Sequence, residues 1–239
     1  LRYAIDQDNG DLAVELAGGL WWFWYRQGFM SEGRRWLAAA FACSAGTDPV
    51  CQADPVQCRR RRAMAGNGGG SMATEQGDFA TAWDYHRQAL ALFREIDDQA
   101  GVAIVLHNMG LTARCQGDFP TALRLLAESL AIERAQDPAG EPDVLGYANV
   151  GITAFEMGDT VLGRQWLDQA YALSKNEGDE WTQAFIANAL AEVHRVEGTP
   201  ETARQLASTS LALFQKLGDT HYEPEPRLAL GHLALERGD

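Results

Sequence analysis

The sequence predicts an all-α chain, a solenoid of stacked helix–turn–helix hairpins, and three observations lead there. Glycines recur at a fixed interval: Gly77, Gly117, Gly158, Gly198 and Gly238 stand 40, 41, 40 and 40 residues apart, and EQGDFATA (75–82) is nearly repeated as CQGDFPTA (115–122). The segments on both sides of each glycine carry apolar residues three and four apart, as in Leu123, Leu126, Leu130 and Leu213, Phe214, Leu217, which is the helical period. Small residues keep a constant phase, with Gly110, Gly151, Ala191 and Gly231 before the turn glycines and Ala82, Ala122, Gly163 and Ala203 after them. Only small side chains let packed helix backbones come close, and one hairpin cannot bury its apolar face alone, so the units stack.

Along the chain, residues 1–45 read as N-terminal helices and an aromatic-rich hairpin turning at Gly28. That glycine precedes Gly77 by 49 residues, and the excess, with Pro49 and Pro55, predicts a loop insertion over 46–58. Residues 59–239 then form four hairpins and a final half, which makes eleven helices and no strand in one continuous solenoid. At each turn the glycine closes one helix and Asp78, Asp118 or Asp159 accepts the free N–H groups of the next. Pro120 and Pro200 fall where proline is tolerated, in a first helical turn. The helix containing Gly66, Gly68, Gly69 and Gly70 is expected to be the weakest and irregular or hinge-like, since each interior glycine costs roughly 1 kcal/mol against alanine. Arg59 to Arg62 read as a solvated helix start, with a phosphate-binding patch as the alternative. A last helix from about Pro226 to Arg237 leaves Leu228, Leu230, Leu233 and Leu235 without a partner helix, which predicts self-association into a homo-oligomer, or fraying, at that end.

The Gly or Ala of each first helix, the Gly-Asp-aromatic turn and the alanines of the second helix (Ala82 and Ala89, Ala170) resemble the tetratricopeptide repeat in its longer-helix variety. The resemblance implies a right-handed superhelix whose first helices line a concave face. On those helices it draws attention to Asn67, His107, Asn108, Asn149 and Asn188, at two adjacent phases where similar repeats grip a peptide backbone, and to Arg114 and Arg195 further along. An amide offers a donor and an acceptor to an extended chain; the same amides also suit ties between neighbouring helices, and both readings stand open here. Within the aromatic run from Trp21 to Tyr25, Trp21 and Trp24 are expected in the core, while Trp22 and Tyr25 either join that core or line the groove or a contact with an upstream domain. The N-terminal segment, with Leu1-Arg2, Ala4, Gly10-Asp11, Trp21 to Trp24 and Glu32-Gly33-Arg34-Arg35-Trp36-Leu37, resembles the start of the helical-repeat arm in large LuxR-type and SARP-type bacterial transcriptional regulators. That resemblance implies a fragment of a longer regulator, an arm that senses an effector or contacts a partner. A free-standing peptide-binding scaffold, or a receptor for a small molecule or oligosaccharide, is the alternative.

Composition bounds the chemistry. With 33 Asp and Glu against 20 Lys and Arg, a net charge of −13 argues against direct contact with nucleic acid or an anionic membrane. No apolar run is long enough to span a bilayer and no secretory signal stands at the start, so a cytoplasmic protein is expected. Cys43, Cys51, Cys58 and Cys115 then read as reduced thiols, and their spacing matches no structural zinc site. The five histidines are dispersed over different repeats, and neither a phosphate loop nor a nucleophile or metalloprotease motif occurs. No catalytic residue, metal or cofactor is expected; the partner is a protein, a peptide or a small effector.

Overall fold

The computed structural model describes residues 1–46, 48–140, 143–177 and 179–237. Among them are thirteen helices and no strand: α1 (Arg2–Asp6), α2 (Gly10–Arg26), α3 (Met30–Ala42), α4 (Pro49–Ala53), α5 (Pro55–Glu75), α6 (Phe79–Glu95), α7 (Gln99–Cys115), α8 (Phe119–Gln136), α9 (Val144–Glu156), α10 (Thr160–Glu177), α11 (Glu180–Val196), α12 (Pro200–Leu217) and α13 (Pro224–Arg237). The eleven long helices are the expected ones; the short α1 and α4 come in addition. The chain divides into two units, Leu1–Gln136 and Asp137–Asp239.

Both units are made from one turn. At the α5/α6 corner Gly77 takes φ +71°, its N–H donates to Thr74 O at 2.9 Å, and the Asp78 N–H donates to Ala73 O at 2.9 Å. The Asp78 carboxylate then accepts the Thr81 N–H, capping α6. The pattern returns at Gly117-Asp118 and Gly158-Asp159. Each such cap is worth about 1 kcal/mol. At the fourth corner Thr199 gives no side-chain cap, and Pro200 opens α12 instead. The fifth turn glycine, Gly238, lies outside the described residues.

In unit 1 the hairpins α2/α3, α5/α6 and α7/α8 stack in order, α3 lying against α5 and α6 against α7, with the first helices α2, α5 and α7 side by side. Phe93, Val102, Val105, Leu106 and Leu125 join the last two hairpins in one core. The glycine-rich α5 departs from expectation, running as an unbroken helix of 21 residues with Gly66, Gly68, Gly69 and Gly70 all buried. The reason is steric. A Cβ on Gly68 would lie 2.6 Å from the Trp21 ring, and one on Gly70 would lie 2.5 Å from the His86 ring. The glycines are the sockets into which α2 and α6 insert large rings, so burial offsets their poor helix propensity.

The stretch 46–58, expected as a loop, holds α4 and the first turn of α5. Asp48 caps the one and Asp54 the other, and each begins with a proline. Cys51 and Cys58 are joined in a disulfide with Cα atoms 5.4 Å apart, so these two are not the reduced thiols expected of them. The arginine run beside them makes bonds within unit 1: Arg59 pairs with Glu95, Arg60 with Asp98 and Arg61 with Glu15, while Arg62 lies over the Phe41 ring.

In unit 2 the hairpins α9/α10 and α11/α12 are followed by α13, which packs on both α11 and α12. A Cβ on Gly151 would lie 2.9 Å from Gly163 O, so the two small-residue phases meet where α9 and α10 approach most closely. Leu167, Ile186, Leu190 and Val193 fill the core. Trp181, Phe214 and Tyr222 cluster about Asp219, whose carboxylate accepts the Trp181 indole N–H at 2.8 Å and the N–H groups of His221 and Tyr222. On α13, Leu228 and Leu235 are exposed, whereas Leu233, expected to be exposed with them, is only 1% accessible because it faces the unit's interior.

Candidate interaction surface

Register along the first helices decides which side chains share a face. Six residues before the turn glycines Gly28, Gly77 and Gly117 stand Trp22, Ser71 and Leu111; nine before them, Gly19, Gly68 and Asn108; ten before them, Gly18, Asn67 and His107. In unit 1 the middle helix therefore contributes small or inward-turned residues, while α2 and α7 contribute larger ones on either side.

On α2 the aromatic run divides. Trp24 is buried, and Trp21 lies over Gly68 of α5. Tyr25 is buried too, its hydroxyl donating to Glu75 Oε1 at 2.8 Å. Trp22 alone of the Trp22/Tyr25 pair reaches solvent, at 45% exposure, stacked on Tyr25 with ring centroids 5.4 Å apart and planes 5° from parallel; the Arg26 guanidinium lies 5.9 Å over its ring. A rigidly backed, exposed tryptophan presents a large apolar face at little entropic cost. On α7, Ile104 is exposed, and His107, Asn108, Leu111 and Arg114 are half-buried.

The asparagines do not act alike. Asn67 is 2% accessible and its amide oxygen lies 3.0 Å from His86 Nδ1, a tie between α5 and α6. Burial in that setting lowers the His86 pKa to about 4 and keeps the ring neutral. Asn149 is 4% accessible and donates back to Leu145 O on its own helix at 3.0 Å. Asn67 and Asn149 are thus interior groups. Asn188 donates to Glu225 on α13 at 3.1 Å. Arg195 pairs with Glu192 and Glu236, hydrogen bonds that raise its own pKa and hold that of Glu192 below the ordinary range. The first-helix face of unit 2 is therefore knitted into polar pairs between α11 and α13. Sequence reasoning missed Ile104, Leu111 and Ser71; for Leu111 and Ser71 the signal is the register they share with Trp22, six residues before a turn glycine.

No group of three or more metal-ligating side chains is gathered among the described residues, and no described helix is long and apolar enough to cross a membrane.

Comparison with known proteins agrees with this architecture. Residues 63–135 match the tetratricopeptide repeat family model. No curated protein matches the chain. Among solved structures the chain is similar to BtubC (BKLC) from P. vanneervenii, at 16% identity and TM-score 0.63 over 90% of this chain and 84% of that one. It is also similar to the apo form of RapI, at 12% identity and TM-score 0.64 over 92% and 77%. The TPR-like repeats of a Podosopora anserina putative kinesin light chain match at 15% identity and TM-score 0.55 over 84% and 94%. These likenesses establish the helical-repeat fold.

Proposed function

We propose, from the tetratricopeptide-type fold as premise, that the chain is a non-catalytic interaction scaffold whose first-helix face in unit 1 binds an extended segment of a protein or peptide. One observation carries this reading: Trp22 stands exposed on an anchored Tyr25, beside a middle helix that holds the half-buried Ser71 at the register position of Trp22. The arrangement offers an aromatic anchor on α2, a low floor on α5 and a mixed wall of Ile104, His107, Asn108 and Leu111 on α7. Large, pre-organised aromatic groups are where binding energy concentrates. Arg114 belongs to the same helix and extends the polar end of the wall.

The N-terminal likeness to bacterial regulator arms supports a finer version, in which this scaffold is the sensing or partner-contacting arm of a transcriptional regulator in the cytoplasm. A phosphate loop encoded in the parent sequence supports that version, and its absence from the parent counts against it.

The scaffold reading is tested with peptides selected from a displayed library on the intact chain. Trp22→Ala is expected to weaken the selected peptides by at least about tenfold, a loss of about 1.4 kcal/mol or more. Unchanged affinity in that variant contradicts the assignment of this face.

A further inference from the structure

A second concave feature of unit 1 lies on the other helices of its hairpins. Between α3 and α6 opens a cleft of about 320 Å³, lined by Ser31, Arg34 and Arg35 of α3, Gln76 at the end of α5, and Thr81 and Tyr85 of α6. That volume is at the small end of the range for ligand sites.

Its lining is built and one-sided in its hydrogen bonding. The Gln76 amide nitrogen donates to Ser31 Oγ at 2.8 Å while its oxygen accepts from Arg34 at 2.7 Å. Arg34 also pairs with Asp78, whose carboxylate accepts from the Thr81 backbone N–H and hydroxyl. The acceptors of this wall are therefore engaged: the Gln76 oxygen, the Ser31 oxygen and the Asp78 carboxylate each already receive a donor. What the cleft still offers is donors. The Ser31 hydroxyl retains its proton for another acceptor, Arg34 has N–H groups beyond those used, and the Tyr85 hydroxyl is a further donor at neutral pH. The Arg35 guanidinium carbon lies 5.4 Å from the Trp36 ring centroid, and Arg35 makes no ion pair among the described residues. Arg34 and Arg35 bring two guanidinium groups to the cleft; Asp78 is paired with Arg34, and Glu32 accepts from the Trp36 indole.

We propose that this cleft binds an oxyanion, a phosphoryl or carboxylate group carried on a small molecule. Guanidinium groups present parallel N–H donors that match either anion, and a donor-rich, acceptor-poor lining on an otherwise acidic surface selects for negative charge locally. The site is independent of the peptide-binding face and stands or falls separately from it.

The test is a titration of the full chain with inorganic phosphate and, separately, with citrate, followed by amide NMR shifts at constant ionic strength. Saturable shifts centred on Ser31, Arg35, Gln76 and Tyr85, weakened about tenfold by Arg35→Gln and lessened by Tyr85→Phe, are the expected result. Saturation by phosphate alone identifies a phosphoryl ligand, by citrate alone a carboxylate, and by both the shared anion chemistry. Arg35 is exposed, and Arg124→Gln on α8 serves as an exposed-arginine control away from the cleft, so the variants report on the cleft and not on folding. Shifts scattered over the surface without saturation, or equal in the wild type and Arg35→Gln, overturn the proposal.

Discussion

His86 sits at 0% exposure against Gly70, bonded through Nδ1 to Asn67, with Nε2 finding no partner. Protonation puts a charge in that pocket with nothing to receive it. The folded-state pKa of about 4 lies below the ordinary 6.5, so the unfolded chain takes up the proton first. The contribution of neutral His86 is therefore complete above pH 6.5 and is lost as the pH falls from there to about 4. A difference of this size corresponds to about 3 kcal/mol. Urea unfolding at pH 7.5 and pH 4.5 is expected to show a loss approaching that figure, and His86→Leu to flatten it. The carboxylates with lowered pKa, such as Asp78 and Asp98, titrate mostly below this window. The same pocket predicts the effect of Gly70→Ala: the added methyl meets the His86 ring, and overpacking costs about 1–3 kcal/mol against about 1 kcal/mol gained in helix propensity. A stabilised Gly70→Ala variant in thermal unfolding contradicts this account of the glycines.

At the scale of elements, the turns were the most legible part of the chain, because Gly-Asp carries its own mechanism: a left-handed φ closes one helix and a carboxylate opens the next. The glycine helix α5 was the least legible. Propensity argues against a helix there, and what overrides it is the fit of Trp21 and His86 into the missing side chains, a long-range contact that no local pattern reports. The insertion misled in the same way. Extra length and two prolines suggest a loop, but Asp48 and Asp54 each sit just before a proline, the arrangement of a helix start. Since α4 buries no residue, its order rests on that cap and on the Cys51–Cys58 disulfide. Reduction with a dithiol is expected to speed amide exchange over 49–53 while α5 to α8 stay protected. The stability loss should not exceed about 2–3 kcal/mol, because the loop closed is short. Protection unchanged on reduction contradicts that role for the disulfide.

For the whole molecule, the repeat architecture followed from spacing alone, whereas the site was only half visible. Resemblance points to asparagines, yet Asn67 and Asn149 lie inward, and each keeps a hydrogen-bond partner there, His86 Nδ1 for the one and the Leu145 carbonyl for the other. Trp22 was singled out and is exposed; Tyr25 was paired with it and instead anchors it. On α13, Leu228 and Leu235 form an exposed i, i+7 pair at 61% and 74% accessibility. Light scattering is expected to show mass rising with concentration, and the double variant Leu228→Glu, Leu235→Glu to suppress it; a concentration-independent monomer in the unaltered chain contradicts this. The central claim is that the first-helix face of unit 1 carries the interaction, and footprinting a bound library-selected peptide by amide NMR shifts tests it most directly. Perturbations are expected only on the faces of α2, α5 and α7 around Trp22, Ser71, His107 and Asn108; perturbations centred on α3, α6 and α8, or on unit 2, would contradict a first-helix binding face.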